Sequence, residues 1–173
     1  LDSNLPRVVF VAGCDRSGST VLGRILGACF QSFNTGEFWH IFLRGFIDDE
    51  YCGCGSSFGN CVLWSQVSRT AGYSNDEAAW NNIEDIRRRL IRMRSIPLLL
   101  SPWIPKRTKQ QLTVLADEFR LMYHAISKIS GNTIIIDSSK NPAFAIFLLK
   151  FVGVDMRVVH LIRDIRGVIY SWQ

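Results

Sequence analysis

Gly13 and Gly18 stand five residues apart in GCDRSGST (Gly13–Thr20), between a short apolar run and an amphipathic one. This is the glycine spacing of a loop that wraps backbone amides around a phosphate at a helix N-terminus. Loops of this kind that bind ATP place a lysine after the second glycine and then Ser or Thr. The ammonium reaches the terminal phosphates and the hydroxyl binds magnesium. Here Ser19 takes the lysine position, and the positive charge lies inside the loop as Arg16. Two further polar clusters, Asp137–Lys140 and Arg163–Arg166, also follow strand-like runs. Turn chemistry alone does not call for Arg16, Lys140 and Arg163 to be cationic, so three cations at strand ends imply an anionic ligand.

The elements that must position these clusters follow from periodicity. Val8–Ala12 is a β-branched apolar run suited to a buried parallel strand. The helix opening at Gly18, Ser19 and Thr20 repeats apolar residues at Val21, Leu22, Ile25, Leu26 and Cys29. Gly36–Phe46 reads as a second helix, Tyr51–Asn60 as a glycine- and serine-rich loop, and Asp76–Arg94 as an amphipathic helix ending before Pro97. Leu112, Leu115, Phe119, Met122, Ile126 and Ile129 form a helical stripe that Gly131 should stop, and such a stripe is core. Thr133–Ile136 and Met156–Ile162 read as strands with a helix over Pro142–Phe151 between them. The order predicts an α/β domain with a mainly parallel sheet flanked by helices, and such sheets gather ligands at the carboxyl ends of their strands.

R-S-G-S-T after the first strand resembles the 5′-phosphosulfate loop of sulfotransferases that use 3′-phosphoadenosine 5′-phosphosulfate (PAPS). VVHLIRDIRGVIYSW (Val158–Trp172) resembles that family's 3′-phosphate segment, with a serine eight residues after the arginine. IIIDSSKNP (Ile134–Pro142) is similar to the strand-end Lys-x-Pro segment of Golgi-type and related bacterial members. The resemblance extends from Arg7 to Trp172 and implies a P-loop-like sulfotransferase fold. It further implies that Arg16, Ser17, Gly18, Ser19 and Thr20 hold the 5′ phosphosulfate, that Arg163 and Ser171 hold the 3′-phosphate, and that Lys140 touches the sulfuryl or bridging oxygen. FNTGEFW (Phe33–Trp39) resembles the segment that supplies a carboxylate base, which makes Glu37 the expected catalytic base, with His40 in reserve. Val21 stands where cytosolic members carry an adenine-stacking tryptophan, so the likeness is closer to the Golgi-type and bacterial branch. The implied reaction moves a sulfuryl group from PAPS to a hydroxyl of a carbohydrate, lipid or other alcohol or phenol, leaving adenosine 3′,5′-bisphosphate.

Two rivals stand beside it. One is a P-loop kinase or nucleotide hydrolase, for which Ile134–Asp137 would be the magnesium-holding strand, although Ser19 in place of lysine opposes this. The other is a non-catalytic nucleotide-binding module.

Composition narrows the field. The chain has 173 residues, 47% hydrophobic and 20% charged, as in an ordinary globular domain. Residues 1–173 are expected to form a single domain. Leu1 is not an initiator methionine and Gln173 falls inside a helix-like segment, so this is expected to be the N-terminal part of a longer domain, incomplete at its C-terminus. The net charge of +5 is local: Arg87–Lys109 holds 8 basic and no acidic residues, while the rest has 12 basic and 15 acidic. That pattern opposes a nucleic-acid binder and mildly favours an acidic acceptor. Trp39, Trp64, Trp80 and Trp103 could line an acceptor site or the core. No apolar run is long enough to span a membrane, and the absence of a signal segment favours the cytoplasm. Cys52, Cys54 and Cys61 cluster as C-x-C-x6-C, but three ligands need a fourth and His40 is only one option. Reduced thiols or one local disulfide are therefore favoured over a metal.

Overall fold

Strand β1 (Arg7–Gly13) buries Val8, Phe10 and Val11 completely, as its unbroken apolar run requires of a strand covered on both faces. Residues 5–29, 31–73 and 77–172 are described by the computed structural model. Their single sheet is parallel throughout and ordered β2-β3-β1-β4, with β2 at Phe33–Gly36, β3 at Ile134–Lys140 and β4 at Met156–Leu161. Because β3 and β4 flank β1, the segments at the carboxyl ends of these three strands stand side by side. The α/β architecture expected from the sequence is the one found.

Helices α1 (Ser19–Cys29), α2 (Val62–Thr70), α3 (Glu77–Leu90), α4 (Ile96–Leu100), α5 (Lys106–Ser130), α6 (Pro142–Phe147) and α7 (Ile165–Tyr170) complete the fold. The stripe on α5 is core: Leu112, Leu115, Phe119, Met122 and Ile126 are fully buried, and Gly131 ends the helix in the left-handed conformation at φ 70°. Phe119 meets Phe38, Phe42, Phe144 and Phe147 with ring centroids 5.0–5.8 Å apart, so one aromatic cluster joins the helices to the segment after β2.

Several boundaries differ from the periodicity reading. Gly36–Phe46 is not one helix. It comprises the end of β2, a 3-10 turn (Phe38–His40) and a wide π-helical turn (Ile41–Ile47). In that turn, a Cβ on Gly45 would lie 2.8 Å from the Phe58 ring, so only glycine admits this contact. Strand β2 has no periodic signature in the sequence, because it is four residues long and two of them are polar. It is held by Thr35 Oγ1 donating to the Ile136 carbonyl, and by Gly23 and Gly27 of α1, where a Cβ would meet Asn34 at 3.1 and 3.0 Å. Helices α2 and α4 were not anticipated. α3 ends at Leu90 rather than Arg94, and Asp76 lies outside the described residues. β3 continues through Asp137–Lys140, so that cluster belongs to the strand instead of the loop after it. α6 stops at Phe147 and passes into a π-helical turn over Leu148–Val152. β4 forms a sheet edge and is largely exposed, unlike the buried strand its apolar residues suggest. Among the described residues no helix is long and apolar enough to cross a membrane.

Candidate active site

The loop between β1 and α1 is built around two close approaches. A Cβ on Gly13 would stand 2.7 Å from the Leu161 carbonyl oxygen, so glycine is what lets β4 run beside the loop entrance. Arg163, just past β4, donates from Nη1 to the Arg16 carbonyl oxygen at 2.7 Å and ties the loop to the third strand end. Arg16 itself sits at φ 62°, a left-handed conformation that a side-chain-bearing residue adopts at some energetic cost and that recurs where a site needs it. Its guanidinium lies 5.3 Å over the Trp172 ring. Among the described residues neither Arg16 nor Arg163 forms an ion pair with a carboxylate. Among the described residues the buried Ser17 Oγ has no hydrogen-bond partner. Two guanidiniums without carboxylate partners, an unsatisfied hydroxyl and the amides opening an 11-residue helix thus gather at one strand end, and each of these groups has the chemistry to pair with an anion.

Across the same cleft of about 1020 Å³, Lys140 also takes a left-handed backbone, at φ 63°. A register irregularity in the β1–β3 ladder pairs Ala12 with Lys140 and turns this strand end. The largely buried Lys140 Nζ lies 2.5 Å from Glu37 Oε1 and 3.0 Å from Asp15 Oδ1. Burial alone would lower the ammonium's pKa, but the hydrogen bonds to Glu37 and Asp15 outweigh it and raise it, so Lys140 is charged at neutral pH. Arg44 approaches the other Glu37 oxygen at 3.5 Å. The turn carrying Glu37 is anchored on β3, where the Trp39 N–H donates to Ser139 Oγ at 2.8 Å and the Phe38 N–H donates to the Asp137 carboxylate.

Asp137 is fully buried and accepts from Tyr123 Oη at 3.0 Å, from the Ser139 N–H and from the Ser139 hydroxyl. Burial pushes its carboxyl up to about 6. It does not line the cleft, which removes the residue that a magnesium-holding strand would use. Ser171 lines the cleft but donates its hydroxyl to the Val168 carbonyl at 2.9 Å, and it directly follows the short helix α7. Apart from Ser17, beneath the loop, every residue expected at the site from the sequence lines this one cleft.

The sequence reading missed Arg87. It is 3% exposed, forms a bidentate pair with Glu84 at 2.6 and 2.5 Å, and stacks its guanidinium 4.0 Å over Trp39. The basic stretch it begins is thus not uniformly a solvated face, and the Glu84/Arg87 spacing of i,i+3 was its available signal. Arg44 was likewise unforeseen, because its partner lies on the preceding turn.

His40 lines the cleft beside Glu37. Desolvation, with Arg44 and Arg87 nearby, lowers its imidazole to about 4, so it is neutral at physiological pH. Between pH 6.5 and 4 the unfolded chain therefore binds this proton and the folded chain does not. His40 weakens the fold as pH falls through that window. The raised carboxyl of Asp137 acts in the opposite direction, stabilising the fold at low pH. Comparing wild type with His40→Asn cancels the Asp137 contribution. The unfolding free energy of wild type relative to His40→Asn should decrease from pH 7 to pH 4 in urea denaturation, and a constant difference would contradict the assignment.

The sulfotransferase family profile matches residues 6–172. No curated protein and no solved structure matches the chain. With the match spanning all three strand-end segments, the chain belongs to the sulfotransferase family.

Proposed function

We propose that the cleft binds PAPS and that the chain transfers its sulfuryl group to a hydroxyl-bearing acceptor, in the manner of the Golgi-type and bacterial branch. The observation carrying this reading is the pair of guanidiniums facing the cleft without carboxylate partners among the described residues, Arg16 within an amide-rich loop and Arg163 beside it. Arg16 and the amides of Ser17, Gly18, Ser19 and Thr20 hold the 5′ phosphosulfate, and Arg163 takes the 3′-phosphate with the bidentate geometry a guanidinium offers. Ser171 can donate to that phosphate only after releasing the Val168 carbonyl.

In the reaction, the acceptor oxygen attacks sulfur while Glu37 removes its proton, and the bond from sulfur to the bridging oxygen breaks. The electron pair of that bond goes to the leaving phosphate, where Lys140, Arg16 and the loop amides meet the developing charge. Donor anions compete with Glu37 and Asp15 for Lys140, so binding the donor loosens the ion pair that otherwise occupies the base. His40, neutral but weakly basic, is the reserve base.

No step uses a metal to polarise phosphate. Incubating the chain with labelled PAPS and a panel of carbohydrate, lipid and phenolic acceptors should therefore release adenosine 3′,5′-bisphosphate at a rate that added magnesium does not change. Phosphoryl transfer from ATP that requires magnesium would overturn the reading.

A further inference from the structure

We propose that Cys52, Cys54 and Cys61 bind one thiophilic divalent cation of the zinc class, which pins the loop walling a second cleft. Their three sulfurs lie within 4.8 Å of one another, and Cys54 and Cys61 are 3.7 Å apart. Ligands about 2.3 Å from a tetrahedral zinc stand about 3.8 Å from each other, whereas a disulfide needs about 2.05 Å. This pair thus already spans a tetrahedral edge, and the Cys52 sulfur, within 4.8 Å of both, needs to move by about 1 Å or less.

The backbone is arranged for thiolates. Gly55, at φ 89°, turns the chain so that its N–H donates to the Cys52 carbonyl at 2.9 Å, while the Cys52 N–H donates to Ser56 at 2.8 Å. This turn aims the Cys54 N–H at the Cys52 sulfur and the Ser56 N–H at the Cys54 sulfur. Amides pointed at sulfur favour the anion. Cys61 caps the nine-residue helix α2, whose positive end favours the same charge. Phe58 and Trp64 stack 4.9 Å apart against the same loop and supply an apolar wall.

Among the described residues no His, Asp or Glu joins the three sulfurs, and His40 is not the fourth ligand. The fourth corner is left to water from the second cleft of about 600 Å³, which all three cysteines line. This cleft shares Thr20, Glu37, His40 and Arg44 with the first, so a pinned loop fixes the wall that faces Glu37. The cation site stands on its own geometry and does not depend on the identity of the donor.

The test is an anaerobic titration of the reduced, chelator-stripped chain with Co²⁺ and then Zn²⁺. One equivalent of cobalt should produce thiolate charge-transfer absorption that zinc abolishes, with release of protons. Cys54→Ser should weaken cobalt binding about 100-fold or more, while Cys14→Ser with Cys29→Ser, both exposed and remote in sequence, should leave it intact. Should Cys54→Ser fail to fold, wild-type protein carries the test alone: zinc should shield Cys52, Cys54 and Cys61, and not Cys14 or Cys29, from alkylation read by peptide mass. Absence of the charge-transfer band, unchanged affinity in folded Cys54→Ser, alkylation blind to zinc, or a Cys54–Cys61 disulfide that forms in equimolar zinc would each overturn the proposal.

Discussion

Glu37→Gln is expected to lower turnover by roughly 100-fold or more while the affinity for adenosine 3′,5′-bisphosphate stays near the wild-type value. The amide keeps the size of the carboxyl but cannot take the acceptor proton. Its effect on the donor side is small or favourable, because Lys140 loses a competing counter-ion at 2.5 Å and becomes freer to meet the donor. Single-turnover kinetics and calorimetry separate the two quantities. Parallel losses of turnover and nucleotide affinity would mean that Glu37 serves only to hold Lys140 and Arg44 in place. Full activity would transfer the base to His40, whose neutral imidazole lies in the same cleft.

Arg16→Ala should weaken donor binding by roughly 10- to 150-fold, the equivalent of about 1.5–3 kcal/mol for a charge-assisted hydrogen bond. The loop has no lysine at Ser19 to take over, and the Lys140 ammonium is already engaged by two carboxylates. The Arg16 side chain is exposed, so thermal stability should change little, and the backbone carbonyl that receives Arg163 is retained. Equilibrium binding of adenosine 3′,5′-bisphosphate to both proteins checks this, and equal affinities would remove the loop from the donor site.

The parts of the site that were legible in the sequence are those whose geometry is local. Gly13 and Gly18 mark the loop because the turn and the helix start lie within eight residues. Arg163 follows its strand by two residues. Glu37 and Lys140 were named separately, through resemblance, but their contact spans 103 positions and no local pattern records it. Asp137 shows the converse: only the rival kinase reading takes this carboxylate after an apolar run for a magnesium ligand, and Tyr123, 14 positions earlier on α5, draws it into the core. Strand β2 carries no local signal for a related reason, since Phe33, Asn34 and Gly36 pair with β3, about a hundred positions away. The cysteine spacing was plain, but the convergence of the three sulfurs depends on the turn at Gly55 and the start of α2.

The claim that the cleft is shaped for a nucleotide with phosphates at both ends is tested most directly by calorimetric titration with adenosine 3′,5′-bisphosphate and adenosine 5′-monophosphate. Wild type should prefer the bisphosphate by on the order of 10- to 100-fold, without magnesium, as one or two charge-assisted contacts to the 3′-phosphate require. In Arg163→Ala both affinities should fall somewhat, because Arg163 also fastens the loop through the Arg16 carbonyl, so the ratio is the decisive quantity and should approach one. Equal binding of the two nucleotides by wild type, or a preference for ATP with magnesium, would contradict the PAPS cleft.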